Sequence, residues 1–139
     1  MRYPEPLIAP MRAELSQNGF VEARTPEQVD QLVGPGSGTV LMVVNSVCGC
    51  AAGKARPGIL MAMKHSSVPK VSATVFAGAD VEAVQRVRDI LVAFPPSSPS
   101  MALFKDGKPV FIMHRHQIEN RQAFEIAAAL TAAFDEHCQ

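Results

Sequence analysis

The alternation of apolar and polar residues predicts helices and strands that follow one another along most of the chain. Apolar residues at helical spacing predict a first helix over residues 6–18. The continuous, β-branched runs over 39–44 and 71–77 are typical of strands buried on both faces of a sheet. A further short strand is predicted over residues 20–23.

Capping residues and turn residues set the expected limits of the other elements. Thr25, followed by Pro26, predicts the start of a second helix that ends near Gly34. A third helix is expected to run from the cysteines near residue 50 to about residue 64. Asp80 and Asn120 are the expected caps of two further helices, the second being the last helix of the chain.

A hairpin is expected near the C-terminal end, because KDGKP separates two strand-like segments at 101–104 and 110–114. The predicted order is therefore one helix followed by βαβαβαββα. This order favours an α/β fold in a single domain spanning residues 1–139. We expect a parallel sheet to which the hairpin adds an antiparallel strand, with helices on both faces.

The amino-acid composition makes some classes of function unexpected for this protein. The 139 residues are 47% hydrophobic and 19% charged, with 13 basic and 13 acidic residues. Without a basic block, neither nucleic acid nor an anionic membrane is an expected partner. The first residues carry no long apolar segment, and no run reaches the roughly 20 apolar residues of a membrane helix, so we expect a cytosolic protein.

Candidate chemistry lies in the segment NSVCGCAAG, where Cys48 and Cys50 follow the first buried strand. Three interpretations remain open for this pair. Both cysteines could be small buried apolar residues, or they could join Cys138 in an iron–sulfur or metal site. The third interpretation, a redox-active dithiol, fits best because ligands bind beyond the carboxyl ends of the strands in such sheets.

The position of this dithiol at the start of a helix suits a redox role. The N-terminus of a helix should lower the pKa of Cys48, and the neighbouring Cys50 could attack a mixed disulfide formed there. Gly49 has no side chain to hinder the approach of a second disulfide. Lys54 and Arg56 either add positive charge nearby or are simply solvated helix residues.

Two segments resemble the thioredoxin fold. ARPGIL places Pro57 inside the helix after the cysteines, and SPSMALFKDGKPV resembles the segment in which a cis-proline precedes a strand and a hairpin. The resemblance implies that the Ser98–Pro99 bond is cis and lies beside Cys48. The CxC spacing departs from the CxxC of thioredoxins. Met42 stands where thioredoxins have a buried acid, so proton handling must differ.

A closer resemblance covers nearly the whole chain. The segments NSVCGCAAGKARP, TVFAGAD, PPSSPSMALF and LTAAFDEHC together resemble the bacilliredoxin family. This resemblance implies that the protein is a thiol–disulfide oxidoreductase that removes bacillithiol, a small thiol, from client proteins.

The resemblance also implies roles for individual residues. Cys48 would be the attacking cysteine and Cys50 the resolving one, while Gly49, Ser98 and Pro99 would border the substrate groove. No metal or resident cofactor is implied, and the expected partners are thiolated client proteins and the small thiol itself. Disulfide isomerase activity is the near alternative.

Overall fold

The computed structural model describes residues 2–139, which form a five-stranded sheet with helices on both faces. The strands lie in the order β1-β3-β2-β4-β5. Their bounds are β1 Val21–Glu22, β2 Thr39–Asn45, β3 Val71–Phe76, β4 Ser100–Lys105 and β5 Lys108–Met113. The predicted α/β fold with a mixed sheet and an extra N-terminal helix is thereby confirmed.

The sheet has one strand that runs against the others, and it is β4 rather than the last strand. β1, β3 and β2 are mutually parallel, whereas β4 is antiparallel to both β2 and β5. The expectation that the hairpin adds an antiparallel strand to a parallel sheet is confirmed, and that strand is β4. Val44 pairs with Ser100, so β4 begins at the end of the sheet where β2 ends. This pairing brings the segment before β4 to the cysteines.

Six α-helices within residues 2–139 accompany the sheet. They are α1 Glu5–Ser16, α2 Pro26–Val33, α3 Arg56–Ala62, α4 Val81–Ile90, α5 Arg115–Glu119 and α6 Ala123–His137. Thr25 caps α2 as expected, since its hydroxyl accepts a hydrogen bond from the Gln28 N–H at 3.2 Å. The cap assigned to Asn120 was wrong. That residue ends the short helix α5, which was not predicted, and Gln122 caps α6.

The helix after the cysteines is not a regular α-helix. Residues Ala51–Ala55 form a π-helical turn, in which the Arg56 N–H donates to the Ala51 carbonyl five residues earlier. Pro57 follows and has no N–H to donate, so the regular backbone hydrogen-bond pattern of an α-helix is interrupted at this residue. Such turns accommodate a proline within a helix and often occur at functional sites.

Strand β2 is buried on both faces, as its apolar run predicts. Leu41 and Val43 face a core formed with α3 and α6, while Val40, Met42 and Val44 face a second core formed with α2 and α4. The packing of α3 on α6 is close at Gly58. A Cβ atom there would lie 2.8 Å from the carbonyl oxygen of Ala123 and 2.8 Å from the Cβ of Ile126.

A buried ion pair attaches α1 to the start of α4. Both terminal nitrogens of Arg12 donate to Asp80 at 2.8 Å, and both side chains are about 6% exposed. The Asp80 carboxylate also accepts from the Phe76 N–H at 3.0 Å. Asp80 does occupy the cap position of α4, but its carboxylate makes no capping hydrogen bond. The expected side-chain cap is thus replaced by a contact with α1.

Candidate functional site

The chain turns sharply where β2 ends, and side-chain hydrogen bonds define the turn. Asn45 and Ser46 are both buried, and the Asn45 Oδ1 accepts from the Ser46 N–H at 2.9 Å. Two residues later the Cys48 N–H donates to the Ser46 Oγ at 3.1 Å. The Cys48 carbonyl then accepts from the N–H groups of Ala51 and Ala52. Cys48 is therefore the residue at which the helical segment begins.

The surroundings of Cys48 favour its thiolate. Partial burial is the largest single influence and would raise the pKa, but several hydrogen bonds together outweigh it and lower the pKa below the ordinary value. The strongest of them come from the Cys50 thiol and the Ser46 hydroxyl, followed by the N–H groups of Ala51 and Cys50. The expected direction of the shift is confirmed. The helix terminus contributes, but it ranks behind the two side chains.

The pKa of Cys50 is shifted in the opposite direction, above its ordinary value. Burial raises its pKa, and so do its hydrogen bond to the Cys48 sulfur and the negative charge of that sulfur. The positive charge of Arg115 acts in the other direction. Because a thiolate is the reactive form of cysteine, Cys48 is the better nucleophile of the two when both are reduced. The arrangement fits the predicted roles of attacking and resolving cysteine, which remain predictions.

Arg56 stabilises the turn at Asn45 and Ser46 through buried hydrogen bonds. Only 2% of its surface is exposed, and its Nη1 donates to the Asn45 Oδ1 and the Ser46 carbonyl, each at 2.9 Å. Its Nε lies 3.1 Å from a carboxylate oxygen of Glu14, without the alignment of a hydrogen bond. The sequence interpretation of Arg56 as a charged or solvated helix residue missed this role. One signal was present, since Arg56 shares a helical face with the buried Ile59.

An open groove of about 320 Å³ lies beside Cys48. Ser98 lines it from the segment before β4, and Arg88 and Arg115 line it from α4 and α5. The remaining lining residues are Tyr3, Ser46, Val47, Ala77 and Gly78. Gly49 is exposed, and a Cβ atom built on it would meet no atom within 4 Å, which leaves the approach to the cysteines free.

The Ser98–Pro99 peptide bond is cis, as the resemblance to thioredoxins implied. Ser98 and Cys48 line the same groove although 50 positions separate them, while Pro99 is buried and is not one of its lining residues. The Ser98 carbonyl accepts a hydrogen bond from Arg115 Nη1 at 3.2 Å. Sequence reasoning identified neither Arg115 nor Arg88, because both lie in segments with no recognisable motif.

Cys138 lies far from the other two cysteines. It contacts Thr39 and packs against the core under α6, and burial raises the pKa of its thiol. Thr39 and Asn45 are the two ends of β2, seven residues long, so roughly 20 Å of strand separates Cys138 from the turn at Cys48. The three cysteines therefore cannot jointly bind one metal ion or cluster in this fold.

Two histidines lie close together at α5. His114 caps that helix and His116 lies within it. Their rings stack, with centroids 5.9 Å apart. Within residues 2–139, no group of three or more potential metal-ligating side chains comes together.

Comparison with known proteins agrees with this arrangement. The family model described as "Disulphide isomerase" matches residues 3–138. A bacilliredoxin of Cytophaga hutchinsonii is 51% identical over 134 residues, covering 96% of this chain and 98% of the relative. The chain belongs to the bacilliredoxin family. A bacilliredoxin of Koribacter versatilis is 50% identical and covers 98% of this chain and 94% of its own length.

Solved structures agree on the fold. A putative oxidoreductase with a thioredoxin fold superposes with a TM-score of 0.64 at 14% identity, covering 81% of this chain and 95% of its own. At that identity the likeness shows the fold alone. Together with the family, it identifies this bacilliredoxin as a thiol–disulfide oxidoreductase. No helix within residues 2–139 is both long and apolar enough to cross a membrane.

Proposed function

We propose that this bacilliredoxin removes a small thiol of the bacillithiol type from mixed disulfides on client proteins. The Cys48 thiolate attacks the sulfur of the small thiol and breaks its bond to the client. The small thiol becomes bonded to Cys48, and the client cysteine leaves as a thiolate. The contrast between the two cysteines carries the proposal, since the pKa is lowered at Cys48 and raised at Cys50.

Two routes complete the cycle. The Cys50 thiolate can attack the Cys48 sulfur, which expels the small thiol and leaves a Cys48–Cys50 disulfide. Alternatively, a second molecule of reducing thiol attacks the bound small thiol and restores Cys48 directly. Both routes need access to Cys48 from solvent, and the exposed position of Gly49 is consistent with such access.

The test uses a model client that carries a small thiol on one exposed cysteine. Cys48→Ser should abolish removal, whereas Cys50→Ala should allow the first transfer and retain the small thiol on Cys48, as detected by intact-protein mass spectrometry. Cys138→Ser is the matched control, because Cys138 lies at the other end of β2. Near-normal turnover by Cys48→Ser would refute the proposal.

Disulfide isomerase activity is the second candidate, favoured by the description of the matching family model. An isomerase should restore activity to a substrate protein with scrambled disulfides, and this activity should survive in Cys50→Ala while Cys48 is intact. Removal of a small thiol faster than rearrangement of protein disulfides would favour our proposal over this alternative.

A further inference from the structure

Two arginine side chains line the groove beside Cys48. They belong to Arg88 and Arg115, and none of the lining residues within 2–139 is acidic. The other polar lining groups are the hydroxyls of Tyr3, Ser46 and Ser98. A groove of about 320 Å³ is large enough to hold a small molecule. The charge indicates which small molecules would bind there.

Arg88 has no ion-pair partner among the residues that the structure describes. Its Nε is buried without a hydrogen-bond partner, and no carboxylate of residues 2–139 pairs with its guanidinium. Arg86, two residues earlier on α4, instead pairs with Asp30 at 2.6 Å. Because no carboxylate of the described residues binds the Arg88 guanidinium, its accessible N–H donors are free to bind a ligand oxygen in the groove.

Arg115 is already oriented toward the site. Its Nε donates to Glu119, and its Nη1 donates to the Ser98 carbonyl. These contacts fix the planar guanidinium, and a fixed guanidinium binds a carboxylate with less loss of side-chain entropy. They also occupy the Ser98 carbonyl, a backbone acceptor that an extended client segment would otherwise use. The groove is thus better prepared for a small anionic group than for a client strand.

We propose that Arg88 and Arg115 form an anion subsite for a carboxylate on the small thiol that is removed. This inference rests on the proposed function and names its substrate class. In the transfer, the sulfur of the carboxylate-bearing thiol is bonded to Cys48 while the client cysteine leaves as a thiolate. The remainder of the small thiol then lies in the groove, where its carboxylate accepts hydrogen bonds from the two guanidinium groups.

The experiment compares two adducts on one model client. A single exposed cysteine carries either mercaptosuccinate, a dicarboxylate, or 2-mercaptoethanol, which is neutral. Removal is measured as the second-order rate constant for wild type and Arg88→Gln. We expect the substitution to slow removal of mercaptosuccinate by about tenfold or more relative to 2-mercaptoethanol, because a hydrogen bond between charged groups supports such a factor. Arg86→Gln, the matched control, should show no such selectivity.

Wild-type protein provides a second measurement that depends on no substitution. Raising the salt concentration from about 0.05 M to about 0.5 M shortens the screening length severalfold, so removal of mercaptosuccinate should slow more than removal of 2-mercaptoethanol. Equal losses for the two adducts in Arg88→Gln, together with equal salt dependence in wild type, would overturn the subsite and leave the proposed function intact. Failure of wild type to remove either adduct would instead overturn the proposed function, and the subsite with it.

Discussion

Replacing Arg56 with methionine should both destabilise the fold and weaken the acidity of Cys48. Arg56 is buried, and its Nη1 donates to the Asn45 Oδ1 and to the Ser46 carbonyl. Methionine has a similar length but offers no donor. The Ser46 carbonyl would lose its partner, whereas the Asn45 Oδ1 would keep its hydrogen bond from the Ser46 N–H.

The size of the effect follows from these contacts. Each hydrogen bond from a charged group contributes about 1.5–3 kcal/mol, which suggests a gross loss of about 3–6 kcal/mol. Removing Arg56 also removes the cost of burying its charge, so the net loss is smaller. The pair with Glu14 contributes only about 0–1 kcal/mol, since that carboxylate is 44% exposed. We expect the free energy of unfolding to fall by about 2–4 kcal/mol.

Urea unfolding followed by circular dichroism measures the loss of stability, and the pH dependence of Cys48 alkylation measures its acidity. The midpoint of alkylation should move to higher pH, because the turn that directs the Ser46 hydroxyl at Cys48 is loosened. Lys54→Met is the control, since it removes a positive charge from the same helical segment but from a partly exposed side chain. A stability change below about 1 kcal/mol in Arg56→Met would show that the buried arginine does not support the turn.

Three further predictions concern the site and the packing around it. Ser46→Ala should raise the Cys48 pKa, so that the alkylation rate, which rises with pH as the thiolate forms, reaches its midpoint at higher pH. An unchanged midpoint would exclude the hydroxyl as a donor. Gly58→Ala should destabilise the protein by about 1–3 kcal/mol through overlap with α6. Gly53→Ala, where an added Cβ meets nothing within 4 Å, should be neutral or stabilising in urea unfolding. Arg12→Met should cost about 3–5 kcal/mol in the same assay by leaving a buried carboxylate unpaired, and a loss below about 1 kcal/mol would contradict that estimate.

Features that depend on local sequence were predictable. The continuous apolar runs located β2 and β3, and the cap at Thr25 located α2. The hairpin formed at Asp106 and Gly107, which both adopt positive φ angles, as the Asp-Gly signal requires. In each case the physical cause lies within a few residues, so a short window of sequence contains the whole signal.

Features that depend on distant partners were not predictable in this way. Pairing with β2 across the sheet decides which strand of the hairpin is the antiparallel one. Arg12 and Asp80 are 68 residues apart, and each resembles an ordinary surface residue until the fold buries both. The short helix α5 lacks the length to show an apolar period, so Arg115 could not be assigned to the site from its sequence alone.

Cys48 influences the pKa of Cys50. This influence suggests when Cys50 becomes reactive in a protein that lacks the buried acid of thioredoxins. Met42 occupies that position in the core, so no carboxylate there can accept the proton of Cys50. Burial and the negative charge of Glu119 raise the Cys50 pKa, and so do two influences of Cys48, namely its hydrogen bond with Cys50 and the negative charge of its sulfur. The two influences of Cys48 depend on its being a thiolate, and the charge disappears once Cys48 is bonded to a small thiol. The positive charge of Arg115 remains and lowers the Cys50 pKa. We therefore expect Cys50 to become more acidic after the first transfer, when its thiolate is needed to attack Cys48. Before that transfer, Cys50 is held as the thiol that donates to its neighbour.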